Sequence, residues 1–413
     1  MINKTIAVTI GFMLFFAAGT AFIVMSDSEE DRSPTVSVLA MVNAEGSGIF
    51  SSDKNLKIDD PAGWGGKSFM TPGAGSIQHE MLRTLASDFN MSFVSGTGSD
   101  PNTIYWSAVA PANMTLAEFW GSGNFDGGIV WEPWYTQIIT KYRDGHSEGD
   151  APVAYKIATT DKLEKGHPCC MVVADNNFMK NNEELTIRFL LAYVHATEWV
   201  NRTIGDRTLS TPPATPEYLE LERVAWTTAF GGDGTPSAAE KLMIWNAVRG
   251  ITYAYEIESG IVGGGLKPYT AALITKFHNS GNIVEKVNDP VMFADKLINY
   301  DMLSDTKSKW DGTEMEGIFY DPSQLSFGTV RLGALQNDLH QIAIRVAMDK
   351  NLFHSLNPGF PANTSLFDAY GVNISLAALQ PNGPGVMNLF ATNSIDIGVL
   401  GLPPVVIRTA NGL

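Results

Sequence analysis

The chain has 413 residues, is 44% hydrophobic and 17% charged, and carries a formal net charge of -16. That composition excludes a disordered chain, which needs low hydrophobicity, and a general nucleic-acid binder, which needs a basic field. Its two cysteines, Cys169 and Cys170, are adjacent, which excludes a disulfide-stapled scaffold and argues against an ordinary structural disulfide.

Residues 5–25 run without a charge, behind Lys4 and ahead of Asp27, Glu29, Glu30 and Asp31. At about 1.5 Å rise per residue, a helix of that length just crosses a hydrocarbon core of about 30 Å. The charge asymmetry predicts a signal anchor over 1–31 with its start in the cytoplasm; a signal peptide cleaved near Gly19-Thr20-Ala21 is the alternative. Either reading places the remainder outside the cytoplasm, tethered to the cell membrane or secreted. Sequons at Asn90, Asn113, Asn201, Asn363 and Asn373 agree with that placement.

The β-branched run 35–42 predicts a strand, closed by a loop at Asn43-Ala44-Glu45-Gly46-Ser47-Gly48. A strand at 67–71 leads into Pro72-Gly73-Ala74-Gly75-Ser76, then into a helix with Ile77, Met81, Leu82 and Leu85 on one face. Strands follow at 104–109 and 127–131, with a capped helix start at 115–118 between them. The second of these enters Glu132-Pro133-Trp134. A strand at 169–174, a long amphipathic helix at 182–200 and helices at 217–229, 236–259, 267–279 and 290–300 come next. Alternation of strand and helix through 35–200 predicts an α/β fold on a parallel sheet. The polar stretch 303–327 reads as a linker. Alternation then restarts: strand 329–335, helix 340–353, strand 372–377, a helix after Asn382-Gly383-Pro384-Gly385, strand 395–400, and a helix opening on Pro403-Pro404.

Residues 327–413 resemble the N-terminal third of ABC-transporter substrate-binding proteins of the nitrate/sulfonate/taurine class. The resemblance is carried by Gly333-Ala334-Leu335-Gln336-Asn337-Asp338-Leu339-His340-Gln341, by Val346-Ala347-Met348-Asp349-Lys350-Asn351, by Asn382-Gly383-Pro384-Gly385, and by 395–404. Residues 35–300 resemble the remainder of the same family, through Asn43-Ala44-Glu45-Gly46-Ser47, Pro72 to His79, Trp131-Glu132-Pro133-Trp134 and His167-Pro168-Cys169-Cys170. The family's beginning stands here at the end. This order implies a circular permutation, with 303–327 as the joining linker and Leu413 running in space into Thr35. Two fused partial gene copies, one chain completing another, are the alternative. The resemblance implies a two-lobed periplasmic-binding-protein type II α/β fold. Lobe 1 would comprise 35–50, 165–300 and 327–413, and lobe 2 would comprise 51–164.

The function so implied is that of the extracytoplasmic solute-binding component of an ABC importer. It would capture a small organic anion between the lobes, a sulfonate or nitrate-like oxoanion, and deliver it to a permease and its ATPase. Two glycine-rich turns that precede helices, Gly73-Ala74-Gly75-Ser76 and Asn382-Gly383-Pro384-Gly385, suit an anion through free backbone N–H groups and the helix dipole. Gly75, Ser76, Ile77, Asn382, Gly383 and Gly385 are therefore expected to bind ligand. Asn337, Asp338 and His340 follow a strand; His340 can donate to an oxoanion, while Asn337 or Asp338 can equally be a helix cap. Trp131 and Glu132 also follow a strand and are expected at the cleft, Trp131 as an apolar wall or as core filling. His79 is expected to face solvent. Asn43, Glu45 and Ser47, which the resemblance places near the hinge, and Leu402 are also expected to bind ligand, with Pro403 and Pro404 shaping the backbone beside it. No nucleophile elbow, P-loop or catalytic set is present, and no cofactor or metal is expected. Cys169 and Cys170 read as buried packing, because no second ligand cluster stands at useful spacing. The alternative function is an enzyme on the same scaffold, acting on a pyrimidine or thiamine-precursor-like molecule.

Overall fold

The computed structural model describes residues 33–116, 124–143, 153–256, 264–309 and 327–413. The expected anchor over 1–31, the second half of the helix start at 115–118 and most of the linker at 303–327 lie outside them. Among the described residues no helix is long and apolar enough to cross a membrane.

The strand Val36–Met41 (β1) is buried at every position, so it needs cover on both faces and reads as one apolar run. The chain then makes a short pairing strand, Asn43–Ala44 (β2), and crosses to Ser47–Ser51 (β3) in a different sheet. Ser68–Thr71 (β4), Ser92–Ser95 (β5), Thr103–Ala108 (β6), Gly127–Trp131 (β7) and Tyr155–Thr159 (β8) complete a six-stranded sheet in the order β5-β6-β4-β7-β3-β8. The chain returns through 160–169 to Cys170–Asp175 (β9). After Thr252–Tyr253 (β10), which pairs with β2, the last strands are Gly328–Gly333 (β11), Val372–Leu376 (β12) and Ile397–Gly401 (β13). These form a five-stranded sheet in the order β1-β9-β13-β11-β12.

Both sheets are mixed, which corrects the expectation of a parallel sheet. In the five-stranded sheet β9 runs antiparallel to both β1 and β13; in the other, β3 runs antiparallel to both β7 and β8. The cause is the pair of crossings. A chain that leaves one sheet end for the other reverses its direction relative to the strands built by local βα units. The run at 43–48, expected as a loop, is the first crossing. Hydrogen bonds zip it to the second: Val42 N–H to Cys170 O at 2.8 Å, Cys169 N–H to Asn43 O at 3.0 Å and Glu45 N–H to His167 O at 3.0 Å. Ser47–Ser51 lies in the six-stranded sheet, paired with Gly127–Trp131 and Tyr155–Thr159.

The tail of the chain builds into the same sheet as its first described strand. β11 and β13 share the five-stranded sheet with β1, and Thr35 Oγ1 donates to the backbone carbonyl of Leu413 at 2.7 Å. The long helix Glu183–Ile204 covers this sheet against Ile342–Met348, and Tyr193 donates from its hydroxyl to Met41 O at 2.6 Å.

Other differences have local causes. The helix expected at 340–353 is broken, because Asp349 Oδ1 accepts from the N–H groups of Asn351 and Leu352 and starts a new turn. The helix expected at 236–259 ends at Arg249, followed by Gly250 and β10. The expected linker opens with helix, Tyr300–Lys309. β5 and β8 were not legible: β5 is a largely exposed edge strand of only four residues, Ser92–Ser95.

Candidate functional site

The six-stranded sheet sends β4 into the turn 72–76 and the helix Ile77–Asp88. The five-stranded sheet sends β13 directly into the helix Leu402–Ala410, and the helix Gly383–Ala391 starts nearby. These three helix starts meet at one cavity of ≈ 80 Å³, with Trp131, the two cysteines, Leu335, Asp338 and His340 as the rest of its wall. That is room for a solute of a few heavy atoms, not for a nucleotide. The lining contains no lysine or arginine.

The glycine turns serve the cavity as their chemistry requires. Gly75 holds φ +83, a left-handed conformation that suits glycine, and Ser76 caps its helix by accepting from His79 N–H at 3.2 Å. By helix geometry the N–H groups of Ile77 and Gln78, at the first positions, have no acceptor inside the helix. Asn382 caps the second helix by accepting from Gly385 N–H at 3.0 Å. The third start differs. Leu402 N–H is taken by Cys169 O at 2.9 Å, and Pro403 and Pro404 have no N–H, so this end is a proline wall.

Of the fifteen expected ligand residues, Gly75, Ser76, Ile77, Trp131, Asp338, His340, Asn382 and Gly383 line the cavity. The others do not. Asn43 is fully buried, with Oδ1 accepting from Cys170 N–H at 3.2 Å and Nδ2 donating to Glu45 O at 2.9 Å. Glu45 accepts from Gly166 N–H at 2.7 Å, and Ser47 accepts from Gln78 Nε2 at 2.9 Å. Asn43 and Glu45 hold the two crossings together, and Ser47 anchors Gln78. Leu402 is core, Asn337 takes a left-handed turn at φ 49, and Gly385 spends its N–H on Asn382. His79, expected in solvent, is buried edge-on against Trp106 with ring centroids 4.2 Å apart; burial pushes its pKa down to about 4.

Glu132 sits behind the wall, accepting from Thr136 Oγ1 at 2.8 Å and Thr136 N–H at 3.1 Å. Burial pushes its carboxyl up to about 7. The folded protein therefore keeps a proton that the unfolded chain has already lost, between the ordinary carboxyl range and pH 7. Stability from this group is complete below that window and falls as pH rises through it. Glu132→Gln, whose amide can satisfy the same Thr136 groups, is expected to match wild type near pH 4.5. At pH 8 it should exceed wild type by up to about 3 kcal/mol in denaturant melts.

Sequence reasoning missed the way Cys169 and Cys170 meet His340. Both thiols are buried, and both line the cavity. His340 donates from Nε2 to Gly46 O at 2.9 Å, since a carbonyl only accepts. Its Nδ1 faces Asp338 Oδ1 at 3.2 Å and Cys169 Sγ at 3.9 Å. Asp338 also accepts from Gln341 Nε2 at 3.1 Å and stands 3.9 Å from Cys170 Sγ. Burial opposes a charged imidazole, but Cys169 and Asp338 outweigh it and raise the His340 pKa well above its usual range. The hydrogen bond from Cys170, helped by His340, lowers Cys169; the same pairing raises Cys170. This is not a nucleophile relay, because thiol and carboxylate share one ring nitrogen and the other is tied to the backbone. The sequence separation of Cys169 and His340, 171 residues, left no local signal.

Residues 35–210, less than half of the chain, match the family model described as the NMT1-like family. The match agrees with the resemblance read from the sequence of this segment. No curated protein matches. Among solved structures the chain is similar to the ligand-binding component of an ABC-type import system from Staphylococcus aureus, determined with zinc bound, at 12% identity. That match covers 69% of this chain and 78% of the other at a TM-score of 0.40. It is also similar to a putative periplasmic sulfonate-binding protein, SsuA, from Methylobacillus flagellatus, at 16% identity, covering 68% and 71% at a TM-score of 0.40. Likeness at this level leaves the site to be argued from its own geometry.

Proposed function

We propose that the protein is the extracytoplasmic solute-binding component of an ABC importer, taking a small organic anion such as a sulfonate or a nitrate-like oxoanion. One observation carries the reading: turns from both sheets, 72–76 and 382–384, converge with an apolar wall of Trp131, Pro403 and Pro404 on one small cavity. Uncommitted N–H groups at Ile77 and Gln78 suit oxoanion oxygens, and two helix dipoles favour negative charge without a lysine or arginine in the lining. The indole N–H of Trp131 is buried and finds no acceptor, which leaves it a donor for a bound oxygen. The paired crossings at 42–46 and 160–169 serve as the hinge on which two lobes, one around each sheet, close over the solute. The closed form would dock on a permease and its ATPase.

The reading predicts that a small alkanesulfonate at 100 times its dissociation constant stabilises the protein by about 2.7 kcal/mol in thermal melts. Stabilisation only by neutral or cationic solutes would count against it. Circular permutation belongs to the same proposal, supported by the Thr35–Leu413 hydrogen bond and by the shared sheet of β1, β11 and β13. A chain relinked from Leu413 to Thr35 and opened within 310–326 should fold and bind the same solute with affinity within about threefold, since termini of compact units tolerate such moves.

A further inference from the structure

We infer that Cys169, Cys170 and His340 form a metal site for a soft or borderline divalent cation in the wall of the cleft, with an open position facing the cavity. One donor atom from each residue, two thiol sulfurs and a ring nitrogen, lies within 4.8 Å of the others. Standard metal–sulfur and metal–nitrogen lengths, at trigonal to tetrahedral angles, put sulfur and nitrogen about 3.6–3.8 Å apart. Cys169 Sγ and His340 Nδ1 stand 3.9 Å apart, so the site is nearly preformed. The orientation of His340 is fixed from outside: Nε2 is committed to Gly46 O, which aims Nδ1 at the sulfurs. An imidazole whose far nitrogen is held by a carbonyl is the usual arrangement around a protein-bound metal.

The donor set selects the ion. Two sulfurs and an imidazole suit zinc-like and softer cations and do not suit magnesium or calcium. Asp338 adds a carboxylate beside the donors, 3.2 Å from Nδ1 and 3.9 Å from Cys170 Sγ. In a fully buried setting two sulfurs and a carboxylate match a dication better than they match one another. All three donors line the cavity, so the ion has an entry path, and its vacant position would meet a solute oxygen there. Ligation displaces to solvent whatever protons the sulfurs and Nδ1 carry.

This site goes beyond the anion reading and stands or falls separately. The test is titration of the metal-free full chain with Cd2+, followed by ultraviolet absorption. The chain has only two cysteines, so any thiolate-to-cadmium charge-transfer band reports this site alone. The expected result is a band that saturates at one Cd2+ per chain, is displaced by Zn2+, and is lost in Cys169→Ser and in Cys170→Ser while both variants keep the wild-type melting curve without metal. His340→Gln, which removes one of the three donors, should weaken Cd2+ binding by more than the roughly 10- to 100-fold that loss of an outer-shell partner costs. No band at stoichiometric Cd2+, or an unchanged band in Cys169→Ser, overturns the proposal. Solute binding by the chelator-treated protein is read independently, so loss of one property does not mimic loss of the other.

Discussion

Gly46→Ala is expected to destabilise the protein by about 3–5 kcal/mol, enough to leave much of it unfolded. Gly46 lies in the first crossing at φ +87, where an L side chain is strained by about 1–2 kcal/mol. A Cβ there would stand 2.5 Å from His340 Nε2 and 3.0 Å from Ile251 Cγ1. His340 cannot step aside, because Asp338 and the Gly46 carbonyl hold both its nitrogens in a fully buried pocket. Gly96→Ala is the control: its φ is +109, yet an added Cβ meets nothing within 4 Å. It should cost only the backbone strain. Equal losses in the two variants would show that the crossing does not depend on the His340 contact.

Asp338→Ala should cost about 3–5 kcal/mol, through a different mechanism. The carboxylate accepts from His340 N–H at 3.0 Å and from Gln341 Nε2 at 3.1 Å, and it balances the imidazole at 3.2 Å. Its removal leaves the buried charged ring with only Cys169 and the Gly46 carbonyl as partners. Asp338→Asn keeps an oxygen for the backbone N–H and loses only the charge, so it should fall between alanine and wild type. Chemical denaturation of the three proteins at pH 7 checks this order; an alanine variant within about 1 kcal/mol of wild type would contradict the role given to Asp338.

The sequence made some of this visible for identifiable reasons. The runs at 35–42, 127–131 and 169–174 are apolar at nearly every position because their strands are covered on both faces, and such runs stand out. The helix from Ile77 has the face expected of it, with Ile77, Met81, Leu82 and Leu85 all buried. The turns at 73–76 and 382–385 could be placed because capping residues and glycines carry their own geometry. The crossings could not. Asn43, Glu45 and Ser47 look like loop residues, and the sequence shows their donors and acceptors without showing which partners they take. Asn43 and Glu45 hold the second crossing, and Ser47 holds Gln78. The Cys169, Cys170 and His340 cluster was illegible for another reason: Cys169 and His340 stand 171 residues apart and meet only when β11 and β13 enter the sheet of β9.

A crystal structure of the protein with a small alkanesulfonate tests the anion-capture claim most directly. The account predicts the sulfonate group between the turns 72–76 and 382–384, its oxygens within hydrogen-bond reach of Ile77 and Gln78 N–H and its alkyl end on Trp131. Sulfonate density confined to the groove beside Lys165 and Lys276, with the cavity at Trp131 empty, would contradict it.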